Sequence, residues 1–228
     1  MSSTSTAVDY MRIRKEDLLE NPTNRVPVAL CLDVSGSMAG KPIAELNSGV
    51  RLFFDALRAD LVANDSAEVA VVAFADRAEV NLDFQNLGRV QAPPPLQTGS
   101  HLGNSTNLGA GVALALSILE ARKQEYRTAG VDYFQPFLIL MTDGRPTSQE
   151  HHVAAPQVCA LEEQRKLVVF PIGIGPQADM KVLAMFSKKK QPLRLQGLRF
   201  AEFFEWLSKS IVRVSQSRPG EQVPLDPT

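Results

Sequence analysis

Four apolar segments that alternate with helix-like segments constrain the fold of this chain most strongly. They run from Val26 to Asp33, from Glu68 to Ala75, from Tyr133 to Thr142 and from Leu167 to Ile174. Near-continuous apolar character is typical of strands that are buried on both faces of a parallel sheet. Strands that alternate with helices therefore predict an α/β fold, with a doubly wound, mainly parallel central sheet and helices on both faces.

One further segment has the pattern of a half-exposed strand. From Arg77 to Phe84 apolar and polar side chains alternate, with Ala78, Val80 and Leu82 at the apolar positions. A period of two indicates a strand with one face in solvent. Because a short link joins this segment to the preceding apolar run, we predict an antiparallel edge strand formed by a hairpin.

Helices are predicted between the strands, where apolar residues recur every three or four positions. One stripe starts after Pro42, a residue that suits the first turn of a helix. A later helix is predicted from Gln149 to Lys166, with Pro156 delaying its start or kinking it. The last helix is predicted from Phe200 to Gln216.

The length of 228 residues suits one large domain with a substantial core. We expect a polar N-terminal segment over residues 1–24, one domain over residues 25–217 and a flexible C-terminal tail over residues 218–228.

Composition narrows the range of partners and compartments. With 24 Lys and Arg against 25 Asp and Glu, the net charge is -1, so we expect no nucleic-acid binding, which needs a basic face. The one tight basic run, from Lys188 to Lys190, is interpreted as a solvated helix end. Having only two cysteines, Cys31 and Cys159, favours a cytoplasmic location. No run of about 18 apolar residues occurs, so no membrane contact is expected.

A carboxylate and two hydroxyls stand at alternate positions where the first predicted strand ends: Asp33, Ser35 and Ser37. Three hard oxygens on one surface of a tight loop suit a small divalent cation such as Mg²⁺. The carboxyl ends of the strands are also where open α/β sheets bind ligands. Asp143 ends a later strand, and Thr106 comes from a loop that opens a helix. Taken alone, Thr106 is interpreted as a helix N-cap and Asp143 as a turn residue.

These five residues together resemble the metal-ion-dependent adhesion site of von Willebrand factor A domains. That family has an Asp-x-Ser-x-Ser motif, a distant Thr and a distant Asp, and the resemblance covers roughly residues 25–215. It implies a Rossmann-like fold and a bound Mg²⁺, with Mn²⁺ and Ca²⁺ open as alternatives. More narrowly, the chain is similar to the small TerY-like bacterial proteins of tellurium-resistance gene clusters, through its segments from Leu32 to Met38, from Leu140 to Pro146 and from Phe203 to Ser208.

The resemblance implies a non-enzymatic interaction module whose bound ion takes an Asp or Glu carboxylate of a protein partner. For TerY-like proteins it also implies stress signalling beside a protein kinase and a phosphatase. We expect the following residues to form the partner-binding rim: Gly36, Met38, His101, Asn107, Gly144 and Arg145.

Two alternatives stay open. Asp33 stands where a strand-end nucleophile of a Mg²⁺-dependent phosphoryl-transfer enzyme would stand, but Ser35 replaces the second Asp of haloacid-dehalogenase-like enzymes. No Lys or His is locally paired with Asp33 for acid–base work. The other alternative is a scaffold with a vestigial metal site, which binds partners through the irregular segment from Asn86 to Ser105 and its three prolines, Pro93 to Pro95.

Overall fold

A six-stranded sheet forms the centre of the computed structural model, which describes residues 17–90, 93–195, 199–218, 221 and 223–224. Its strand order is β3-β2-β1-β4-β5-β6, and every neighbouring pair is parallel except β2 and β3. The strands are β1 (Val26–Asp33), β2 (Ala67–Phe74), β3 (Ala78–Leu82), β4 (Phe137–Thr142), β5 (Val168–Ile174) and β6 (Leu193–Leu195).

Helices cover both faces of the sheet, which confirms the predicted α/β class with one antiparallel edge strand. On one face, α1 and α6 pack in one apolar cluster with residues of β1, β2, β4 and β5. On the other face, α3 and α4 pack in a second cluster. The helices are α1 (Lys41–Ala59), α2 (Leu61–Ser66), α3 (Leu108–Ala129), α4 (His151–Glu163), α5 (Met180–Leu183) and α6 (Phe200–Ser215), with 3₁₀ turns at Gly36–Met38, Leu87–Arg89 and Ala184–Phe186.

The largest differences from the predicted boundaries, of four and three residues, occur at one strand and one helix; the others are of at most two residues. The strand predicted from Tyr133 begins only at Phe137, after Pro136, which has no N–H to donate to a neighbouring strand. The helix predicted up to Lys166 ends at Glu163, and Pro156 lies inside it.

The end of α4 is closed by a left-handed turn at Arg165, which has φ = 56°. The Arg165 N–H donates to the Glu162 carbonyl at 3.1 Å, and the Lys166 N–H donates to the Leu161 carbonyl at 2.8 Å. This pair of bonds is the Schellman arrangement, whose left-handed position is usually a glycine. Arg165 is the one non-glycine residue with positive φ in the described part of the chain.

The last helix, α6, packs tightly on α1 at Gly49. A Cβ atom at this position would lie 2.6 Å from Cδ2 of Phe204 and 3.0 Å from Cβ of Phe200. Phe204 also contacts Phe53 of α1, with ring centroids 5.7 Å apart. Because no side chain larger than hydrogen fits, Gly49 forms a notch that holds the Phe204 ring.

A buried network of charges ties the start of β2 to α3 and to the N-terminal segment. The Glu68 carboxylate accepts hydrogen bonds from Arg25 at 3.1 Å, from Arg122 at 2.6 and 2.7 Å and from the Tyr126 hydroxyl at 2.7 Å. All four side chains are fully buried. Leu18, in the N-terminal segment, packs with Tyr126, so the described residues 17–24 of that segment lie against the domain. Residues 1–16 lie outside the described residues, as does most of the predicted tail.

No helix among the described residues is long and apolar enough to cross a membrane.

We expect Glu68→Gln to lower the free energy of unfolding by about 3 kcal/mol, because it removes the buried carboxylate that two buried guanidinium groups share. Among the described residues, only the ion pairs of Arg122 with Glu125 and of Arg25 with Asp17 then remain. Urea unfolding measures the change. Glu205→Gln is the control: its pair with Lys209 is exposed, so no measurable loss is expected. Equal stabilities of the two variants would contradict the structural role of the buried network.

Candidate metal site

The parallel register of the sheet places Asp33 beside the end of β4. Leu32 pairs with Met141, so Asp33, the last residue of β1, lies next to Thr142, the last residue of β4. Asp33 is fully buried. Its Oδ1 accepts the Ser35 N–H at 2.8 Å, and its Oδ2 accepts the Thr142 hydroxyl. These two bonds fix the carboxylate at the root of the loop after β1.

A chain of oxygen atoms then joins the loop after β1 to the loop after β4. The hydroxyl oxygens of Ser35 and Ser37 lie 3.1 Å apart, and the Ser37 hydroxyl donates to Oδ1 of Asp143 at 2.7 Å. Ser35 is buried, whereas Ser37 is exposed. The structure therefore brings four of the five predicted ligands into one hydrogen-bonded cluster that opens to solvent on the Ser37 side.

The fifth residue, Thr106, lies against the loop after β4. A Cβ atom on Gly144 would be 3.2 Å from the Thr106 hydroxyl oxygen. The backbone of Thr106 is held by Thr147, which donates its N–H to the Thr106 carbonyl at 2.9 Å. The interpretation of Thr106 as a helix N-cap is wrong, because Asn107 caps α3 by accepting the Ala110 N–H at 3.1 Å. The Thr106 hydroxyl is thus not used by the cap.

Asp76, in the hairpin between β2 and β3, positions the Thr106 loop and was missed by the sequence reasoning. Its carboxylate accepts both the N–H and the hydroxyl of Ser105, bonds that hold the pKa of Asp76 below its ordinary value. Gly103 has φ = 95°, and a Cβ there would lie 2.3 Å from the Asp76 carboxylate. The Asn104 carbonyl accepts the Gly36 N–H at 2.9 Å, which connects this loop to the first one.

The electrostatics of the cluster favour a cation. Burial raises the pKa of Asp33 to about 6, against the lowering effect of its bonds from Ser35 and Thr142, and the nearby Asp143 charge raises it further. Burial also raises the pKa of Asp143. In the described part of the chain no Lys, Arg or His forms an ion pair with either carboxylate. The ionised pair is therefore uncompensated.

The donor atoms fit a hard divalent ion. Two carboxylates and three hydroxyls supply oxygen only, which is the ligand set that Mg²⁺, Mn²⁺ and Ca²⁺ prefer. Among the described residues no group of three or more His, Cys, Asp and Glu side chains is placed to hold a metal. An ion at this site therefore depends on the neutral hydroxyls of Ser35, Ser37 and Thr106.

The predicted rim is only partly suited to contact a partner. Gly36 and Arg145 are exposed and Gly144 is partly exposed, and all three lie in the two loops of the cluster. Met38 does not belong to the rim: it ends the 3₁₀ turn after β1, and its side chain is fully buried in the core. The prediction for Met38 is wrong because the tight turn directs this side chain inward.

Two other predicted rim residues make contacts elsewhere. Asn107 accepts the Ser148 hydroxyl at 2.7 Å in addition to capping α3. His101 is exposed, and its Nε2 lies 2.7 Å from a carboxylate oxygen of Glu79 on β3. In the described residues no hydrogen bond joins His101 to the five clustered residues.

The sequence matches the von Willebrand factor type A domain family over residues 28–202, and the chain belongs to this family. This agrees with the predicted family. No curated protein matches the sequence.

Solved structures show the same fold at low identity. Proximal thread matrix protein 1 from the mussel byssus is 16% identical, with a TM-score of 0.58, over 83% of this chain and 48% of that chain. The pilus adhesin SpaC from Lactobacillus rhamnosus GG is 14% identical, with a TM-score of 0.65, over 84% and 30%. The vWF domain of the type V pili tip protein Mfa5 from Porphyromonas gingivalis is 12% identical, with a TM-score of 0.62, over 89% and 99%. This chain thus spans less than half of the first two proteins.

We expect Asp33 to make the metal-free protein less stable as the pH rises. Its pKa in the folded protein, about 6, lies above the ordinary value of 3.8, so the folded protein holds the Asp33 proton more tightly than the unfolded chain does. The stability that this proton contributes is complete below pH 3.8 and is lost as the pH rises through 6. At 1.36 kcal/mol for each pH unit between the two values, the loss is about 3 kcal/mol. Asp33→Asn should remove this part of the pH dependence, measured by urea unfolding in chelator from about pH 4 to 7. Parallel curves for the two proteins would contradict it.

We expect Asp76→Ala to weaken divalent-metal binding by about tenfold, because the loop that carries Thr106 loses its anchor. Calorimetric titration with Mg²⁺ measures the affinity. Glu79→Ala removes a carboxylate from the adjacent strand and should leave the affinity unchanged. The same loss in both variants would show a general charge effect and refute positioning by Asp76.

Proposed function

We propose that this chain is a non-enzymatic protein-interaction module that binds an acidic partner residue through a divalent cation. One observation carries the proposal. The buried Asp33 carboxylate lacks a cationic partner among the described residues, and it is connected through Ser35 and Ser37 to Asp143 in an oxygen cluster open to solvent. Within a family of interaction and adhesion domains, this arrangement supports a metal-ion-dependent adhesion site.

Ser35, Ser37, Thr106, Asp33 and Asp143 would hold the ion, and we propose Mg²⁺ as the one bound. When bound, the ion supplies positive charge that attracts a partner's carboxylate. At an effective dielectric constant near 20, two unit charges 4 Å apart interact by about 4 kcal/mol, and a divalent ion doubles this value before desolvation is subtracted. One structure of the mussel protein has zinc in a site of this name, so zinc joins Mn²⁺ and Ca²⁺ as ions to compare.

The position of Asp33 supports binding over phosphoryl transfer. Both oxygens of its carboxylate accept hydrogen bonds from this chain, and the side chain is fully buried. A nucleophile has to reach a substrate, and Asp33 is held away from the surface. Ser37 and the exposed backbone of Gly36 form the accessible side of the cluster, which suits a partner that docks there.

The TerY-like segments of the sequence support a proposal for the biological setting. We propose a cytoplasmic role in bacterial stress signalling of the tellurium-resistance type, with a kinase or phosphatase of the same system as the protein that supplies the Asp or Glu. Neither nucleic acid nor membrane is among the proposed partners. The proposed domain boundaries stay at residues 25 and 217, with residues 17–24 packed against the domain.

We expect Mg²⁺ to raise the melting temperature of the wild type by about 5 °C at 100 times its dissociation constant. Ser37→Ala and Thr106→Ala should weaken binding by about tenfold each, since each removes a ligand oxygen. Ser48→Ala is the matched control, because its hydroxyl is exposed on α1 and donates to the Ala44 carbonyl. A wild type insensitive to Mg²⁺, Mn²⁺, Ca²⁺ and Zn²⁺ would refute the metal site.

Partner capture then separates the metal surface from the segment 86–105. Pro94 and Pro95 of that segment are exposed, and the following Leu96 is fixed by Asn47 through bonds of 2.8 and 2.9 Å. We expect capture to need Mg²⁺ and to be lost in Thr106→Ala, but to survive substitution of both prolines by Ala. Capture that survives chelator and depends on the prolines would refute the proposed function.

A further inference from the structure

A cavity of about 780 Å³ lies at the end of the sheet opposite the metal site. It is bounded by Phe137 and Val168, where β4 and β5 begin. The candidate metal site instead follows the carboxyl end of β4. We call this cavity the basal groove. Its walls come from the end of α3, residues 133–137, the end of α4 with residues 165–168, Lys189 and Lys190, and, near the C-terminus, Val214, Glu221 and Val223.

The charge of the basal groove differs from that of the whole chain. Its lining carries three acidic side chains, Glu120, Glu162 and Glu221, and six cationic ones, although the chain as a whole has a net charge of -1. The cationic residues of the lining are Lys123, Arg127, Arg165, Lys166, Lys189 and Lys190.

Two of the acidic side chains are already bound within the protein. Glu120 forms ion pairs with Lys123 and Arg127, each at 2.7 Å. Glu162 is buried, and its carboxylate accepts the Ser187 hydroxyl at 2.7 Å and the Lys188 N–H at 2.9 Å. Neither acid compensates Arg165 or Lys166, which are exposed and form no ion pair within the described ranges. The third acid, Glu221, accepts the Arg218 N–H at 3.0 Å. Arg165 and Lys166 therefore place uncompensated positive charge at the end of α4.

The backbone at Arg165 adds an independent observation. A left-handed position that closes a helix favours glycine, and a side chain there costs stability. Arg165 occupies that position beside Lys166, so like charges are also crowded together. Departures from local preference of this kind concentrate at functional sites. A bound anion would compensate the repulsion between these two cations.

We propose that the basal groove binds a small phosphate ester of nucleotide size, with Arg165 and Lys166 contacting its phosphate groups. Clustered guanidinium and ammonium groups favour phosphate oxygens, and a guanidinium can bind two of them at once. The volume lies in the range of small-molecule sites, well above that of a single phosphate. Tyr133, Phe134 and Leu161 line the same cavity and provide an apolar wall for the organic part of the ligand.

The experiment measures melting temperature with millimolar ADP and, separately, pyrophosphate, in chelator and at matched ionic strength. Chelator prevents ADP from acting through a metal ion at the other end of the sheet. A negative result here therefore refutes only the binding of a phosphate ester in the basal groove and leaves the proposed metal-dependent function unaffected. ADP should raise the melting temperature of the wild type by about 5 °C when it is in large excess over its dissociation constant, and pyrophosphate by less. No rise with either ligand would overturn the proposal.

The decisive variant is Arg165→Gly, because its two effects have opposite signs. Glycine suits the left-handed turn, so the melting temperature without ligand should rise by about 2 °C. The rise caused by ADP should fall to less than half of the wild-type value, and Lys166→Ala should cause a similar loss.

Arg51→Ala is the control, since it removes one exposed cation from α1, away from the groove. It should keep the full response to ADP. If Arg165→Gly and Lys166→Ala also keep it, or if all three variants lose it equally, the groove is not the binding site.

Discussion

The parallel pairing of β1 with β4 is the constraint on which the candidate metal site depends. Its register sets Leu32 opposite Met141, and the bond from Thr142 to Asp33 follows directly from it. A slip by one residue would turn the side chains of one strand to the other face of the sheet. Because both strands run in the same direction, the loops that follow them leave the same edge, and Ser37 can reach Asp143 across the gap.

Local sequence patterns were sufficient to locate the buried strands and to single out Asp33, Ser35, Ser37 and Asp143, which hydrogen bonds connect in the structure. Buried parallel strands have a strong apolar signature, and the residues at their carboxyl ends must share one edge of the sheet. Met38 and Asp76 show where this reasoning stops. The direction of the Met38 side chain depends on a tight turn packed against the core, and Asp76 meets Ser105 only because a hairpin and a distant loop touch. A single sequence carries no mark of either contact.

The two ends of β4 have opposite chemical characters. At the carboxyl end, two carboxylates without a cationic partner in the described residues and the neighbouring hydroxyls favour the binding of a cation. At the start of the strand, cationic side chains from α3, the end of α4 and the loop after α5 favour the binding of an anion. The basic run at 188–190, interpreted as a solvated helix end, contributes two residues to this second surface. The left-handed conformation of Arg165 could not be predicted from the sequence, because the residue that usually adopts it at the end of a helix is glycine.

The notch at Gly49 limits how the last helix can travel. With the Phe204 ring seated there, α6 cannot glide smoothly along α1. A slide of one helical turn, about 5.4 Å, would bring either Ser208 or Phe200 to the notch in place of that ring. Ser208 would leave it empty, whereas Phe200 would fill it again. The contact between Gly49 and Phe204 therefore fixes the position of α6 along the axis of α1.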